Sequence, residues 1–189
     1  MKLANVKGTR DFPPEEKILR DQIVNTLKEV FELYGFYPLD TPIIEPYELL
    51  SAKCGAGEES DAMKETYCFT DQGKRKLGLR FELTLSTARF VAMNPDLKMP
   101  FKRYQIGDVF RDGPIKLGRY REFTQCDVDI FGTKSVLADA ECISLALCAL
   151  KKLGFDAYIE LNNRKLLNGL IEQAGISKAK AEGIIIIID

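Results

Sequence analysis

The chain has 189 residues, 46% hydrophobic and 29% charged, which supports one well-cored domain and argues against two large ones. Its 27 Lys and Arg against 28 Asp and Glu leave a net charge of −1, excluding a global polyanion coat but not a local basic patch. Histidine is absent, which excludes Ser-His-Asp hydrolysis, Cys-His proteolysis, HExxH metalloproteases and any zinc site built on imidazole.

Residues 14–34 are predicted to form a helix. Pro13-Pro14 and Glu15-Glu16 suit a first turn, Leu19, Ile23, Leu27, Val30, Phe31 and Tyr34 recur at helical spacing, and Gly35 stops it. Residues 36–45 follow as an extended stretch whose Pro38 and Pro42 belong at a sheet edge or an interface. The loop Gly55 to Ser60 has no GK[ST] ending and carries two acids, so it reads as a surface loop and not a phosphate cradle. Residues 66–82 are predicted as a hairpin turning at Asp71-Gln72-Gly73-Lys74, with Leu77, Leu79 and Phe81 on one face of the second strand and Gly78, Arg80 and Glu82 on the other. A short helix over 84–94 stops at Pro95. A longer hairpin pairs 101–111 with 119–131. Helix 136–153 has Ser135 as cap and Gly154 as stop. A strand over 155–161, a helix over 163–174 and a short last helix capped by Ser177 close the chain, which ends in the run Ile184 to Ile188. The sum is an α+β fold around antiparallel hairpins.

Five cysteines with no CxxC pair read as free thiols in a reducing, intracellular setting. No signal-peptide core precedes the first helix, and no apolar run approaches the roughly 18–20 residues of a membrane span, so the expected location is cytoplasmic, with no membrane partner.

The chemistry concentrates on the longer hairpin. Period two puts Thr124, Cys126, Val128 and Ile130 on a core face and Phe123, Gln125, Asp127 and Asp129 on the other. The partner strand splits likewise, with Tyr104, Ile106 and Phe110 against Arg103, Gln105 and Arg111, and the connection adds Arg119 and Arg121 around Tyr120. An open sheet face bearing Arg, Gln, Asp and Phe suits an anion, a ring and an ammonium together.

These residues carry a resemblance. Val6-Lys7-Gly8-Thr9-Arg10-Asp11-Phe12 resembles the opening signature of the histidyl-tRNA synthetases, and 35–45 is similar to motif 1 of the class II synthetases, with Pro42 as its proline. Phe110-Arg111-Asp112-Gly113-Pro114 followed by Gly118 to Asp129 resembles motif 2 in its histidyl form, in wording closer to archaeal and eukaryotic members. The resemblance implies a class II synthetase-type antiparallel sheet flanked by helices. It places residues 1–189 in the N-terminal portion of a catalytic domain, with no motif 3 or anticodon-binding domain found. Many members have Glu where this chain has Gly113, a departure that touches contacts with ATP or tRNA.

By the same resemblance Arg111 is the catalytic residue, meeting the ATP α-phosphate and the histidine carboxylate. Arg119 approaches the β,γ-phosphates, and Phe123, with Tyr120 beside it, stacks on adenine. Glu82 and Thr84 hold the α-amino group with Gln125, Leu83 between them belongs to the histidine-binding set, and Asp129 accepts the imidazole N–H. The implied substrates are histidine, tRNA(His) and ATP with Mg²⁺, with no protein-held metal and no DNA. The implied assembly is a homodimer through residues 14–45. The implied activity, histidyl-adenylate formation and transfer to tRNA, belongs to a longer protein, this length alone being inactive. A synthetase-like regulatory subunit of the ATP phosphoribosyltransferase type, binding histidine without catalysis, is the rival reading, and a bare dimerisation module is the third.

Overall fold

The computed structural model describes residues 3–52 and 61–176, together with Gly183. The Gly55–Ser60 loop, the Ser177 cap and the Ile184–Ile188 run lie outside the described residues. The chain divides into two compact units, Met1–Phe155 and Asp156–Asp189.

In the first unit, α1 (Pro14–Leu33) begins at the expected prolines with Glu15 and Glu16 in its first turn, where acids complement the helix dipole. Strands β1 (Tyr37–Pro38) and β2 (Ile44–Pro46) each take one edge of a separate three-stranded sheet, the place their prolines allow. After the short helices α2 (Tyr47–Ser51) and α3 (Asp61–Lys64), β3 (Cys68–Thr70) and β4 (Lys76–Leu79) form the first hairpin, giving one sheet in the order β2-β4-β3. Helix α4 (Thr84–Met93) leads to the long hairpin of β5 (Phe101–Phe110) and β6 (Glu122–Phe131), and α5 (Val136–Lys152) closes the unit. The second sheet runs β1-β5-β6, antiparallel between β5 and β6 as expected of the hairpin, with a short parallel pairing of β1 on β5.

One face of β5–β6 carries the apolar core. Val30, Phe31, Phe36, Tyr104, Leu145 and Ala149 are buried there, with Val128 and Ile130 packed against them. The Tyr104 hydroxyl donates to Glu32 at 2.8 Å, and burial together with that acceptor raises its pKa to about 12. This core lies at the Tyr104–Val128 end of the hairpin. Farther along the same face Thr124 accepts from Arg20 at 2.6 Å, and Cys126 is exposed, so the predicted core face is apolar over only half its length.

On β4 the two faces separate as the alternation predicts. Gly78 and Arg80 are buried and Leu77, Leu79 and Phe81 are half-buried, so the inward side is the one that looks polar. A Cβ on Gly78 would fall 2.7 Å from both Leu50 Cδ1 and the Tyr67 carbonyl, and only glycine fits that approach.

In the second unit, α6 (Arg164–Gln173) is capped by Asn163, whose side chain accepts the Lys165 N–H at 2.9 Å, and the chain leaves it through Gly175 at φ +71°. The predicted strand 155–161 is not formed. The segment has apolar alternation but no ladder among the described residues, and a strand needs a neighbour's backbone to become one.

Candidate active site

Antiparallel register sets opposite each other Arg103 and Asp129, Gln105 and Asp127, Gly107 and Gln125, and Val109 and Phe123, all on the face away from the apolar core. The predicted constellation is therefore assembled, but its two ends differ. At the Arg103 end the face is sealed. Arg103 is fully buried, ion-pairs with Asp129, and donates to Thr84 Oγ1 and the Asp127 carbonyl, both at 3.5 Å. Burial lowers its pKa, while Asp129, Asp127 and Glu82 oppose the shift. Gln105, also buried, turns its amide oxygen to Arg80 Nη1 at 3.3 Å and the Thr41 N–H at 3.1 Å. Arg80 itself donates to the carbonyls of Asp108 at 2.7 Å and Thr41 at 2.8 Å. A Cβ at Gly107 would strike its guanidinium, so glycine there lets arginine lie across the sheet. Arg103 and Gln105, read from sequence as part of an open face, are interior residues.

The middle of the face holds the residues expected to bind an amino acid. Thr84 donates to Asp129 Oδ2 at 3.2 Å. Gln125 Nε2 donates to Asp127 Oδ2 at 3.1 Å, and its own Oε1 is buried with no partner, an acceptor without a donor. Burial raises the Asp127 pKa, with Asp129 and Glu82 adding to the rise and Arg103 and the Gln125 hydrogen bond opposing it. Glu82 is more committed than its strand-end position suggests. Its carboxylate accepts the N–H groups of Thr84 at 2.9 Å and Leu85 at 2.7 Å, capping the start of α4. Leu83 is fully buried and its carbonyl accepts from both the Thr87 N–H and hydroxyl, so its side chain serves the core and offers no binding surface.

The far end is open. Arg111, just past β5, is half-buried with its guanidinium 4.2 Å from the Phe81 ring centre and 5.1 Å from that of Phe123; Nε donates to the Phe81 carbonyl at 3.3 Å. It has no carboxylate partner among the described residues. A cavity of about 330 Å³ lies here, lined by Glu65, Arg111, Gly113, Pro114, Gly118, Arg119, Tyr120 and Phe123. Arg119 and Tyr120 are exposed on the connecting loop, which turns at Gly118 with φ +74°. Arg121 instead pairs with Asp112 at 3.0 Å and its stem lies beside Gly8, where a φ of +88° and the fact that an added Cβ would fall within 3 Å of that stem both demand glycine. The Gly8 carbonyl accepts the Arg121 N–H at 2.8 Å, so the opening signature clasps the start of β6.

Sequence reasoning missed Glu65, which contributes a carboxylate to the cavity, and Arg80, whose burial crosses the sheet face. Neither belongs to the quoted motifs; the adjacency arises from folding.

A helix-flanked sheet of this kind, with the long hairpin at its centre, is the catalytic-domain fold of a class II aminoacyl-tRNA synthetase. The family model described as Histidyl-tRNA synthetase matches residues 8–189, and the chain belongs to that family. It is 51% identical over its full length to histidine–tRNA ligase 1 of Bacillus cereus (strain ATCC 10987 / NRS 248), covering 43% of that protein. It is 48% identical over 169 residues to the histidine–tRNA ligase of Aeropyrum pernix, covering 38% of it. The crystal structure of histidyl-tRNA synthetase from Nostoc sp. PCC 7120 superposes with a TM-score of 0.83 at 31% identity, over 99% of this chain and 43% of that one. A structure described as an ATP phosphoribosyltransferase regulatory subunit/histidyl-tRNA synthetase from Bacillus halodurans C gives 0.71 at 28% identity, over 82% and 39%. The chain thus spans less than half the length of these relatives. No helix among the described residues is long and apolar enough to cross a membrane.

Proposed function

We propose that this chain carries the ATP and histidine contacts of a cytoplasmic histidine–tRNA ligase, which forms histidyl-adenylate and transfers histidine to tRNA(His). The observation that carries the reading is Arg111: a half-buried cation between two aromatic rings, without an acid partner among the described residues, at a cavity that also holds Arg119 and Phe123. Such a cation is ready for an anionic ligand. ATP enters with its Mg²⁺ as the substrate complex; Phe123 takes the adenine face, Arg111 the α-phosphate and Arg119 the phosphates beyond.

Histidine lies along the middle of the strand face. Gln125, whose Oε1 is buried without a partner, turns its amide so that this oxygen accepts from the ammonium, with Thr84 beside it, while Asp129 keeps Oδ2 for Arg103 and Thr84 and offers Oδ1 to the ring N–H. Glu82 acts on the ammonium through its charge, its oxygens being held by α4. The histidine carboxylate attacks the α-phosphorus in line as pyrophosphate leaves. A carboxylate is already ionised, so the step needs no general base and rests on positioning and on charge neutralisation by Arg111.

Histidine-dependent ATP–pyrophosphate exchange by the full-length protein tests this; a catalytically silent regulatory subunit, the alternative that the Bacillus halodurans neighbour raises, binds histidine but supports no exchange. We place residues 1–189 in the N-terminal portion of the catalytic domain and expect this length alone to exchange more than tenfold slower than a full-length relative. In a site open to water each charge contact is worth roughly 1 kcal/mol, against several in a closed one. A second copy is proposed to pack on residues 14–45, where Ile18, Leu19, Ile23, Ile43 and Ile44 are 38–59% exposed. Sedimentation showing only monomer at tens of micromolar counts against it.

A further inference from the structure

Glu65 follows α3 and is joined to the loop after β5 by its carbonyl, which accepts the Asp112 N–H at 2.7 Å. Its carboxyl group lies against Gly113: a Cβ there would sit 2.7 Å from Oε1, 2.8 Å from Cδ and 3.0 Å from Oε2. Glycine at 113 therefore leaves the space into which a carboxylate from another element reaches. The side chain is half-buried, lines the cavity with Arg111, Arg119 and Phe123, and has no hydrogen bond or ion pair among the described residues. A half-buried acceptor without a donor is costly unless a ligand supplies one. Phosphate cannot, because two anions repel. A purine stacked on Phe123 presents its edge groups instead.

We propose that Glu65 accepts a hydrogen bond from the exocyclic amine of adenine and so selects ATP over purine nucleotides with an oxygen at that position. This rests on the ATP reading above and adds the base-selecting residue. An amine donates to the carboxylate; a carbonyl oxygen in its place faces a negative charge and offers no proton.

Equilibrium binding of ATP, inosine triphosphate and purine riboside triphosphate separates the possibilities, since inosine replaces the amine by an oxygen and protonates N1, whereas purine riboside removes the amine and leaves N1 unprotonated. Wild type prefers ATP to both by about tenfold or more, the loss of one charge-assisted hydrogen bond. Glu65→Ala brings the three within threefold by weakening ATP, and Glu65→Gln, whose amide also donates, tightens inosine triphosphate. Gly113→Ala crowds the carboxylate out of place and lowers the preference without touching residue 65. A preference unchanged in Glu65→Ala and Gly113→Ala overturns the proposal. So does an equal loss of all three nucleotides in Glu65→Ala, or a loss that tracks 3′-deoxyATP and so assigns Glu65 to the ribose. Failure of wild type to bind any of the three overturns the ATP reading itself, and this proposal with it.

Discussion

The two ends of one sheet face use the same residue types for opposite purposes. At the Arg103 end a guanidinium is fully buried and ion-paired with Asp129; at the Arg111 end a guanidinium is half-buried, rests on aromatic rings and has no acid partner among the described residues. The difference lies in what covers them. Helix α4, Thr41 and Arg80 close the first end and supply its partners, whereas the loop after β5 leaves the second open to a cavity. A paired, dry charge holds the fold; an unpaired, accessible one is available to a ligand.

This contrast predicts that stability and activity separate. Arg103→Met strands Asp129 and should cost about 3–5 kcal/mol of unfolding free energy, read from urea denaturation. A loss below 1 kcal/mol would break the claim that this end is structural. Arg111→Ala should leave that denaturation curve almost unmoved while slowing histidine activation by roughly 10²–10³, about 3 kcal/mol of transition-state stabilisation. Exchange within threefold of wild type would remove Arg111 from its catalytic role.

Asp129 belongs both to the sealed Arg103 pair and to the middle of the face where histidine is proposed to lie, and it sharpens the comparison. Asp129→Asn should weaken histidine by about 1.5–3 kcal/mol through the lost charge-assisted bond, with ATP affinity within twofold. Calorimetry showing equal losses for both ligands would mean that the residue serves only the Arg103 pair.

The smallest effect concerns pH. Asp127 faces Arg103, Gln125, Asp129 and Glu82, and its folded-state pKa is raised above 3.8, with burial the leading cause. The folded state then binds more protons than the unfolded one, so this group's contribution falls as pH rises from about 3.8 through the folded value. Asp127→Asn should flatten that part of the stability profile, and its gain over wild type should appear at neutral pH and vanish in acid. A gain independent of pH would assign the effect to packing.

Much of this was legible before folding. Period two sorted Arg103, Gln105 and Arg111 from Tyr104 and Ile106, and Phe123, Gln125 and Asp129 from Val128 and Ile130, because strand geometry alone fixes alternation. The bounds of α1 and α5 followed from Pro14, Ser135 and Gly154, since caps are local chemistry. The strand expected over 155–161 was not legible in the same way, because alternation shows which side chains agree and not whether a partner backbone is present.

By itself the sequence determined the family, the elements and which residues share a face, all of which depend on local geometry and short motifs. Only the tertiary structure decided which of those faces is dry. Arg103 and Arg111 sit on the same side of one strand run, yet one is sealed by α4 and the other is open to a cavity. The tertiary structure alone also brought Glu65 against Gly113, 48 positions away. Covering and long-range adjacency depend on how separate elements pack, and no periodicity within either element encodes them.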